Sequence, residues 1–472
     1  MQSTNHLSPE LSQFKNTHDS VLGLIGHTPL VRLNKVAAGV ASEIYAKVEF
    51  TNPGGSVKDR IGLAMIEDAE KRGVLKPGGT IVECTSGNTG MGLAIAAAIK
   101  GYRCVFVLPD KMSTEKIRNL RAFGARVVVT PTNVEPDDPR SYYSVARQIA
   151  KETPNAVHLN QYDNLSNREA HFATTGPELF EQTNGGQFDA FVAGMGTGGT
   201  ISGIAQFLKK KKSSIQIVGV DPIGSILFDH FKTGSKAVAA PYKIEGIGED
   251  FIPKNYDFSV IDDMVQVNDK ESFVMTRRLL HEEGLFVGVS CGAAVCGAIK
   301  YAQTLKTPKR IIVLLPDSGN RYLSKVFDDD WMRENGFLDS GWGTVADLLL
   351  GVKSHSGPII YTKPDSSIEE VINLMKDKGF SQIPVIENNQ VVGLVNETHL
   401  LSALFSGRLK SNDRVIAVAE SNFAVLSPSD PVERVSQAIT AGQTPIVQNQ
   451  HNGLTIITKI DLITYLGNRT KH

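Results

Sequence analysis

At 472 residues the chain is long enough for two or three domains. With 41% hydrophobic and 21% charged residues and a formal net charge of -1, it has a globular composition and no global charge signal for nucleic acid or an anionic membrane. Four cysteines without CxxC or Cys/His spacing argue against a bound metal and fit a reducing compartment. Residues 1–20 carry no apolar signal-peptide core, and no apolar run approaches the roughly 20 residues of a membrane span, so a cytoplasmic protein is expected.

Residues 21–50 hold two short β-like pieces, 30–33 and 44–50. Next comes Asn52-Pro53-Gly54-Gly55-Ser56-Val57-Lys58-Asp59-Arg60, followed by Ile61, Met65, Ile66 and Ala69 at helical spacing. The Pro-Gly-Gly stretch punctuates the chain, Ser56 is an N-cap candidate, and Lys58 falls in the first helical turn. A cation is unfavourable there, because the helix start carries partial positive charge. Two explanations stand side by side. Either Lys58 extends into solvent and Asp59 offsets it, or it is a desolvated or covalently used amine.

From about 80 to 330 the pattern alternates. Strands are expected at 80–84, 104–108, 126–129, 156–159, 188–193, 215–220 and 310–315, with helices at 90–99, 114–123 and 201–208 among them. Several of the strands are continuous apolar runs, as suits strands buried on both faces. The fold class is therefore α/β, with parallel-type sheets flanked by helices. Ligands on such sheets bind at the carboxyl ends of the strands.

Three polar loops fall at such ends. Glu83-Cys84-Thr85-Ser86-Gly87-Asn88-Thr89-Gly90 supplies hydroxyls, an amide and backbone N–H groups at a helix start, which suits a carboxylate or a phosphate. Gly194-Met195-Gly196-Thr197-Gly198-Gly199-Thr200 satisfies G-x-G-x-x-G between a strand and a helix. It reads either as a dinucleotide site, with Asp221 ending the next strand, or as a cradle for one phosphate monoester. Pro316-Asp317-Ser318 is the third, and Gln161-Tyr162 after the strand at 156–159 can face the same crevice.

After Trp331 the texture changes. Residues 336–345 read as a linker, and beyond it Pro364, Pro384 and the run 391–395 are echoed by Pro428, Pro445 and the run 453–457. The offset is about 61 to 64 residues, counted from Pro384 to Pro445 and from Pro364 to Pro428. Two copies make a paired module rather than a solenoid. The domain reading is a polar segment 1–20, a two-subdomain α/β unit 21–335, a linker 336–345 and a tandem-repeat unit 346–472, with repeats at about 346–410 and 411–468.

As a set, GGSVKDR (54–60), TSGNTG (85–90), GTGGT (196–200) and PDS (316–318) resemble the fold-type II pyridoxal-phosphate enzymes of the cysteine synthase/cystathionine β-synthase family. Support comes from Pro131-Thr132-Asn133, Gln161-Tyr162, Glu245-Gly246-Ile247-Gly248 and Asp250-Phe251-Ile252-Pro253. The resemblance covers roughly 20–340, and the repeats resemble a tandem CBS-repeat (Bateman-type) regulatory module. It implies pyridoxal 5'-phosphate bound covalently by Lys58, with Asn88 at the pyridoxal 3'-oxygen, Gly196, Thr197, Gly198, Gly199 and Thr200 around the phosphate, and Ser318 at the pyridine nitrogen. It implies Thr85, Ser86, Thr89 and Gln161 at the substrate carboxylate, with Tyr162 nearby.

The reaction so implied is β-replacement, joining serine and homocysteine into cystathionine and water, with hydrogen sulfide release as a side reaction. The runner-up is cysteine synthesis from O-acetylserine and sulfide. Two other classes remain beside it: a nicotinamide-dependent oxidoreductase built on Gly194 to Gly199 with Asp221, and a sensor of adenosyl ligands with a vestigial catalytic half. The resemblance further implies a homodimer or higher homo-oligomer.

The chain departs from the family in three places. The N-terminal segment has no cysteine, so no haem is expected. Lys209 to Ser214 replaces a CxxC, and Glu249 stands where animal enzymes tend to carry tyrosine. In the tail, Thr458 and Asp461 match the nucleotide-site pattern, while the first repeat has Asn396 and His399. One site for S-adenosylmethionine or an adenine nucleotide is therefore expected, at Thr458 and Asp461.

Overall fold

The structure, a computed structural model, describes residues 17–85, 87–135, 138–234, 238–338, 341–351, 360–388, 390–448 and 454–469. Most of the polar N-terminal segment, Ser86 and part of the expected linker lie outside the described residues. The chain divides into two compact units, Met1–Asp329 and Asp330–His472.

In the first unit β1 (Leu30–Leu33) pairs antiparallel with β2 (Glu43–Val48). There follow α1 (Lys58–Lys71), β3 (Thr80–Cys84), α2 (Asn88–Lys100), β4 (Arg103–Pro109), α3 (Thr114–Ala122), β5 (Arg126–Thr130), α4 (Tyr142–Glu152) and β6 (Ala156–His158). Strands β5-β4-β3-β6, in that order, form a four-stranded parallel sheet. The chain continues through α5 (Ser166–Ala170), α6 (Gly176–Gln182), β7 (Ala190–Gly194), α7 (Gly199–Lys211), β8 (Gln216–Pro222) and α8 (Leu227–Thr233). It closes with β9 (Asp263–Val267), α9 (Asp269–Glu283), α10 (Val289–Thr304) and β10 (Arg310–Leu315). The second sheet runs β1-β2-β10-β7-β8-β9 and is parallel apart from β1.

Every residue of β3 is buried, Thr80 and Glu83 included, as are Ile311 to Leu315 in β10, which is why β10 reads as an apolar run. Around the smaller sheet the core gathers Ile61, Met65 and Ile66 of α1 against Leu93 of α2 and Phe106 and Leu108 of β4. Around the larger one Phe191, Ile204, Leu208, Ile217 and Leu314 do the same. The expected strand 44–50 stops at Val48, where a 3-10 turn, Glu49–Thr51, directs Glu49 into a buried ion pair with Arg60.

In the second unit the elements after α11 (Asp329–Glu334), which straddles the division, are α12 (Val345–Gly351), α13 (Ile368–Lys378), β11 (Gln382–Glu387), β12 (Gln390–Asn396) and α14 (Glu397–Phe405). Then come β13 (Phe423–Leu426), α15 (Val432–Thr440), β14 (Thr444–Gln448), β15 (Leu454–Ile456) and α16 (Lys459–Arg469). Each repeat is thus a helix, an antiparallel strand pair and a second helix, with one more extended segment alongside: Thr362 bridges to Val385, and β13 runs parallel to β14.

The repeats as packed differ from the repeats as counted along the chain. Val345 and Leu348 of α12 bury against Leu426, Val435 and Tyr465, whereas Val415 buries against Ile368 and Val385. Among the described residues no helix is long and apolar enough to cross a membrane.

Candidate functional site

The start of α1 shows how Lys58 is held. Gly62 and Gly92 let α1 and α2 touch backbone to backbone, and a Cβ on Gly92 would lie 2.5 Å from the carbonyl oxygen of Lys58. Beneath the helix, Arg60 donates to Glu49 at 2.8 and 2.9 Å and pairs with Glu178 at 3.0 Å. Lys47 joins Glu178 from the sheet side and also donates to Gln182 at 2.8 Å. Burial pushes the Glu49 carboxyl up, but Arg60, Thr28 and Lys47 outweigh it and hold its pKa down to about 2. These charges compensate one another and fix the helix.

The cap itself differs from the sequence expectation. Val57, not Ser56, occupies the N-cap position without a side-chain bond, although Ser56 Oγ accepts from Lys58 N–H at 3.3 Å. Asp59 does not offset the lysine either. Its carboxylate is buried and turned back onto Gly54 N–H, and burial raises its pKa to about 7. Burial lowers the Lys58 pKa, with Asp317, Glu249 and Glu49 opposing. Lys58 is half-buried, so it is not stretched fully into solvent.

The loop after β10 is stitched to the loop before α1. Val57 N–H donates to Pro316 O at 2.8 Å and Ser318 N–H to Gly55 O at 3.1 Å, which holds half-buried Ser318 against the loop that precedes Lys58. Ser318 Oγ accepts from Asn320 N–H at 3.3 Å. Asn88 projects from the first turn of α2, donates through Nδ2 to Asp317 at 2.8 Å, and accepts at Oδ1 from Arg321. Tyr322 OH donates to the same Asp317 oxygen at 2.6 Å. Asp317 was visible in the sequence only as a member of the PDS run, and nothing there marked Arg321 or Tyr322.

On the opposite wall, Thr85 Oγ1 accepts from Gly87 N–H at 2.9 Å, bending the loop, and Thr89 Oγ1 donates to Gln161 Oε1 at 2.5 Å. Gln161 Nε2 donates to Cys84 O at 2.8 Å. Asn167 Nδ2 then bonds both Gln161 O at 2.8 Å and Thr197 Oγ1 at 3.0 Å, while Asn255 Nδ2 takes Gln161 O and Tyr162 O at 2.8 Å each. Tyr162 OH meets Tyr142 OH at 3.0 Å. A continuous path of polar contacts therefore joins Thr89 to the glycine loop through Gln161 and Asn167. Both asparagines were missed, since an isolated Asn far along the chain gives no motif. Ser86 lies outside the described residues.

Gly196, Thr197, Gly198, Gly199 and Thr200 turn from β7 into α7, with Gly198 left-handed at φ +84°. A Cβ at Gly196 would lie 2.8 Å from Gly246 O, one at Gly198 2.8 Å from the Tyr256 ring, and one at Gly199 would collide with the Asn167 amide. The donors here are backbone N–H groups of a helix start and two hydroxyls. Thr200 Oγ1 lies 3.1 Å from His171 Nε2, and burial, aided by Lys58 and Arg60, brings that imidazole's pKa down to about 3, so it is neutral. A cradle of neutral donors at a positive helix end, too tight for any side chain, fits a phosphate monoester.

Asp221, the residue on which the dinucleotide alternative rested, is fully buried and accepts from Phe228 N–H at 2.9 Å. It caps α8 rather than reaching toward a ribose. One trio among the described residues, Glu83, Cys84 and His158, brings potential ligand atoms within 4.8 Å of one another, a grouping no spacing foretold. Glu83 Oε1 already accepts from Gln161 N–H at 3.1 Å and supports that loop.

In the second unit, Thr458 Oγ1 donates to Asp461 Oδ2 at 2.6 Å, and the same oxygen accepts from Thr458 N–H at 2.8 Å at the start of α16. In the first repeat Asn396 Oδ1 accepts from His399 N–H at 2.9 Å, capping α14.

Residues 21–317 match the family described as pyridoxal-phosphate dependent enzyme, and residues 351–406 match the CBS domain. The cystathionine beta-synthase of Oryctolagus cuniculus is 42% identical, over 98% of this chain and 88% of that protein. That of Saccharomyces cerevisiae is 38% identical, over 96% of this chain and 99% of that protein. Among solved structures, an O-ureido-L-serine synthase is 38% identical with a TM-score of 0.61, covering 66% of this chain and 96% of that one. A hydrogen sulfide-producing enzyme from Fusobacterium nucleatum is also 38% identical with a TM-score of 0.61, covering 65% of this chain and all of that one.

Proposed function

The chain belongs to the pyridoxal-phosphate dependent enzymes and, within them, to the cystathionine β-synthase family, and we propose that it joins L-serine to L-homocysteine by β-replacement, giving cystathionine and water. It is a pyridoxal-phosphate dependent lyase. When bound, the cofactor supplies the electron sink that makes the Cα proton of an amino acid acidic and its β-substituent able to leave.

The residues of this chain divide the remaining work. Lys58 is the covalent anchor and, once freed, the amine that takes the Cα proton; burial lowers that amine's pKa, which favours the uncharged form. Gly196 to Thr200 hold the phosphate and Asn88 the 3'-oxygen, for which its NH2 group has a second hydrogen beyond the one given to Asp317. Ser318 offers the pyridine nitrogen a neutral hydroxyl, which suits loss and replacement at Cβ rather than transamination. Thr85, Ser86, Thr89 and Gln161 receive the substrate carboxylate, with Tyr162 beside them.

The observation that carries this reading is the polar path Thr89–Gln161–Asn167–Thr197, which ties the carboxylate wall to the phosphate loop. The deciding experiment supplies the purified protein with serine plus homocysteine and, separately, with O-acetylserine plus sulfide. Cystathionine as the faster product is expected. Cysteine formed faster from the second pair would make the chain a cysteine synthase.

The catalytic domain in this reading is 21–335 and the regulatory module 346–472. The latter takes S-adenosylmethionine or an adenine nucleotide at Thr458 and Asp461, which lie at the strand-to-helix turn of the second repeat. Calorimetric titration with each ligand tests this, and no heat from either would remove it. The protein works as a homodimer in the cytoplasm, consistent with four unpaired cysteines. Hydrogen sulfide release, the property named for the Fusobacterium neighbour, is a side reaction of the same site.

A further inference from the structure

Spacing along the chain offers no metal motif, yet the fold assembles a ligand set that the spacing hides. Glu83 and Cys84 are the last two residues of β3, and β6 runs beside β3 at the edge of their sheet, with Val82 opposite His158. Cys84 Sγ lies 4.0 Å from Glu83 Oε1 and 3.9 Å from His158 Nε2. Carboxylate, thiol and imidazole thus place their potential ligand atoms within 4.8 Å of one another. Glu83 and Cys84 are buried, whereas His158, on the edge strand, is half-buried and opens the trio toward solvent.

A second observation points to an occupant. Glu83 Oε1 accepts from Gln161 N–H at 3.1 Å, but Glu83 Oε2 is buried and has no hydrogen-bond partner among the described residues. A buried carboxylate oxygen left alone is costly, and a cation removes that cost. The carboxylate keeps the Gln161 bond with one oxygen and has the other for the cation.

The donors select the ion. A thiolate sulfur and an imidazole nitrogen suit zinc and similar borderline dications, not calcium or magnesium, which take oxygen. Tetrahedral zinc holds sulfur and nitrogen ligands about 3.6 Å apart, so the trio needs to close by only a few tenths of an ångström. One thiolate and one carboxylate balance a dication, which leaves no net charge in the interior. The cation whose charge reaches both Cys84 and His158 is Arg147, which is exposed and donates to Ser144 Oγ at 3.0 Å.

We propose that Glu83, Cys84 and His158 form a binding site for Zn2+ or a similar borderline dication, with water as the fourth ligand. On binding, the thiol proton leaves to solvent and the sulfur electron pair forms the bond to the metal. The site lies directly behind Gln161. Cys84 O accepts from Gln161 Nε2 at 2.8 Å, and Thr85 follows Cys84 in the chain. The metal therefore pins the end of β3 to β6 and stiffens the wall that holds Gln161, without displacing any of its bonds.

The test uses the untagged, cofactor-loaded protein, freed of loose metal and titrated with Zn2+ against a chromophoric chelator. Wild type should bind one zinc per chain that calcium and magnesium do not displace. His158→Gln should weaken it by about 100-fold or more, since loss of an outer-shell partner alone costs roughly 10- to 100-fold. Zinc-edge X-ray absorption should find one sulfur at about 2.3 Å in wild type and none in Cys84→Ser. Amide hydrogen exchange at Gln161 should slow with zinc in wild type and not in His158→Gln, a readout that zinc held elsewhere on the surface does not move.

No bound zinc, equal affinity in wild type and His158→Gln, a zinc shell without sulfur, or exchange at Gln161 untouched by zinc would overturn the proposal. Failure of the wild type with serine plus homocysteine would remove the β-replacement reading and leave this site standing.

Discussion

The starts of α1 and α16 are the two helix ends at which the chain places its most suggestive polar residues, and they are solved in opposite ways. At α16 the Thr458 hydroxyl and the Asp461 carboxylate satisfy each other and the first N–H groups. At α1 the lysine is half-buried with its pKa lowered, the neighbouring carboxylate of Asp59 turns away, and the stabilising charges lie one layer below, in Arg60, Glu49, Glu178 and Lys47. A helix start that completes its own hydrogen bonds is stable by itself, and a ligand there must displace a bond already made. A helix start propped open by a buried network from beneath is organised for something it does not itself contain.

If that contrast holds, Arg60→Met should have the largest effect on stability. It strands Glu49 and part of Glu178 in the interior, at a cost of about 3–5 kcal/mol read from the denaturant midpoint of the first unit. A loss below about 1 kcal/mol would mean that the network does not hold α1. Gly199→Ala comes next. Its Cβ collides with the Asn167 amide, so cofactor affinity should weaken by roughly 10- to 100-fold, corresponding to about 1–3 kcal/mol of overpacking. Equilibrium dialysis against pyridoxal 5'-phosphate measures it, and unchanged affinity would show that the loop is not the cradle. Thr458→Ala is the smallest. Loss of the cap should cost about 1 kcal/mol in the unfolding of the second unit and leave turnover at the first unchanged. A comparable loss in the first unit would break the contrast between the two helix starts.

The parts legible in the sequence were those whose chemistry is local. Strand β10 announced itself as an apolar run because both faces are covered. The glycine loop was legible because three close approaches, to Gly246, Tyr256 and Asn167, forbid side chains within four consecutive residues. What stayed hidden depends on residues distant in sequence. Asn167 and Asn255 matter only because the fold brings them to Gln161, and Arg321 only because it reaches Asn88 across more than two hundred residues. Asp221 misled for the same reason. Its spacing from the glycine loop suited a ribose, but the chain turns it inward to cap α8. The exchange of α12 and Val415 between the repeats was equally invisible, because repeat signals follow chain order and packing does not.

The covalent role of Lys58 is the centre of the account, and it can be tested without any turnover. The cofactor-loaded protein is reduced with borohydride, digested, and the cofactor's mass located among the peptides, in wild type and in Lys58→Ala. The account predicts the added mass on the Lys58 peptide of the wild type and on no peptide of a variant that retains the wild-type circular dichroism. Cofactor mass on a different lysine, or unchanged labelling of Lys58→Ala, would contradict it.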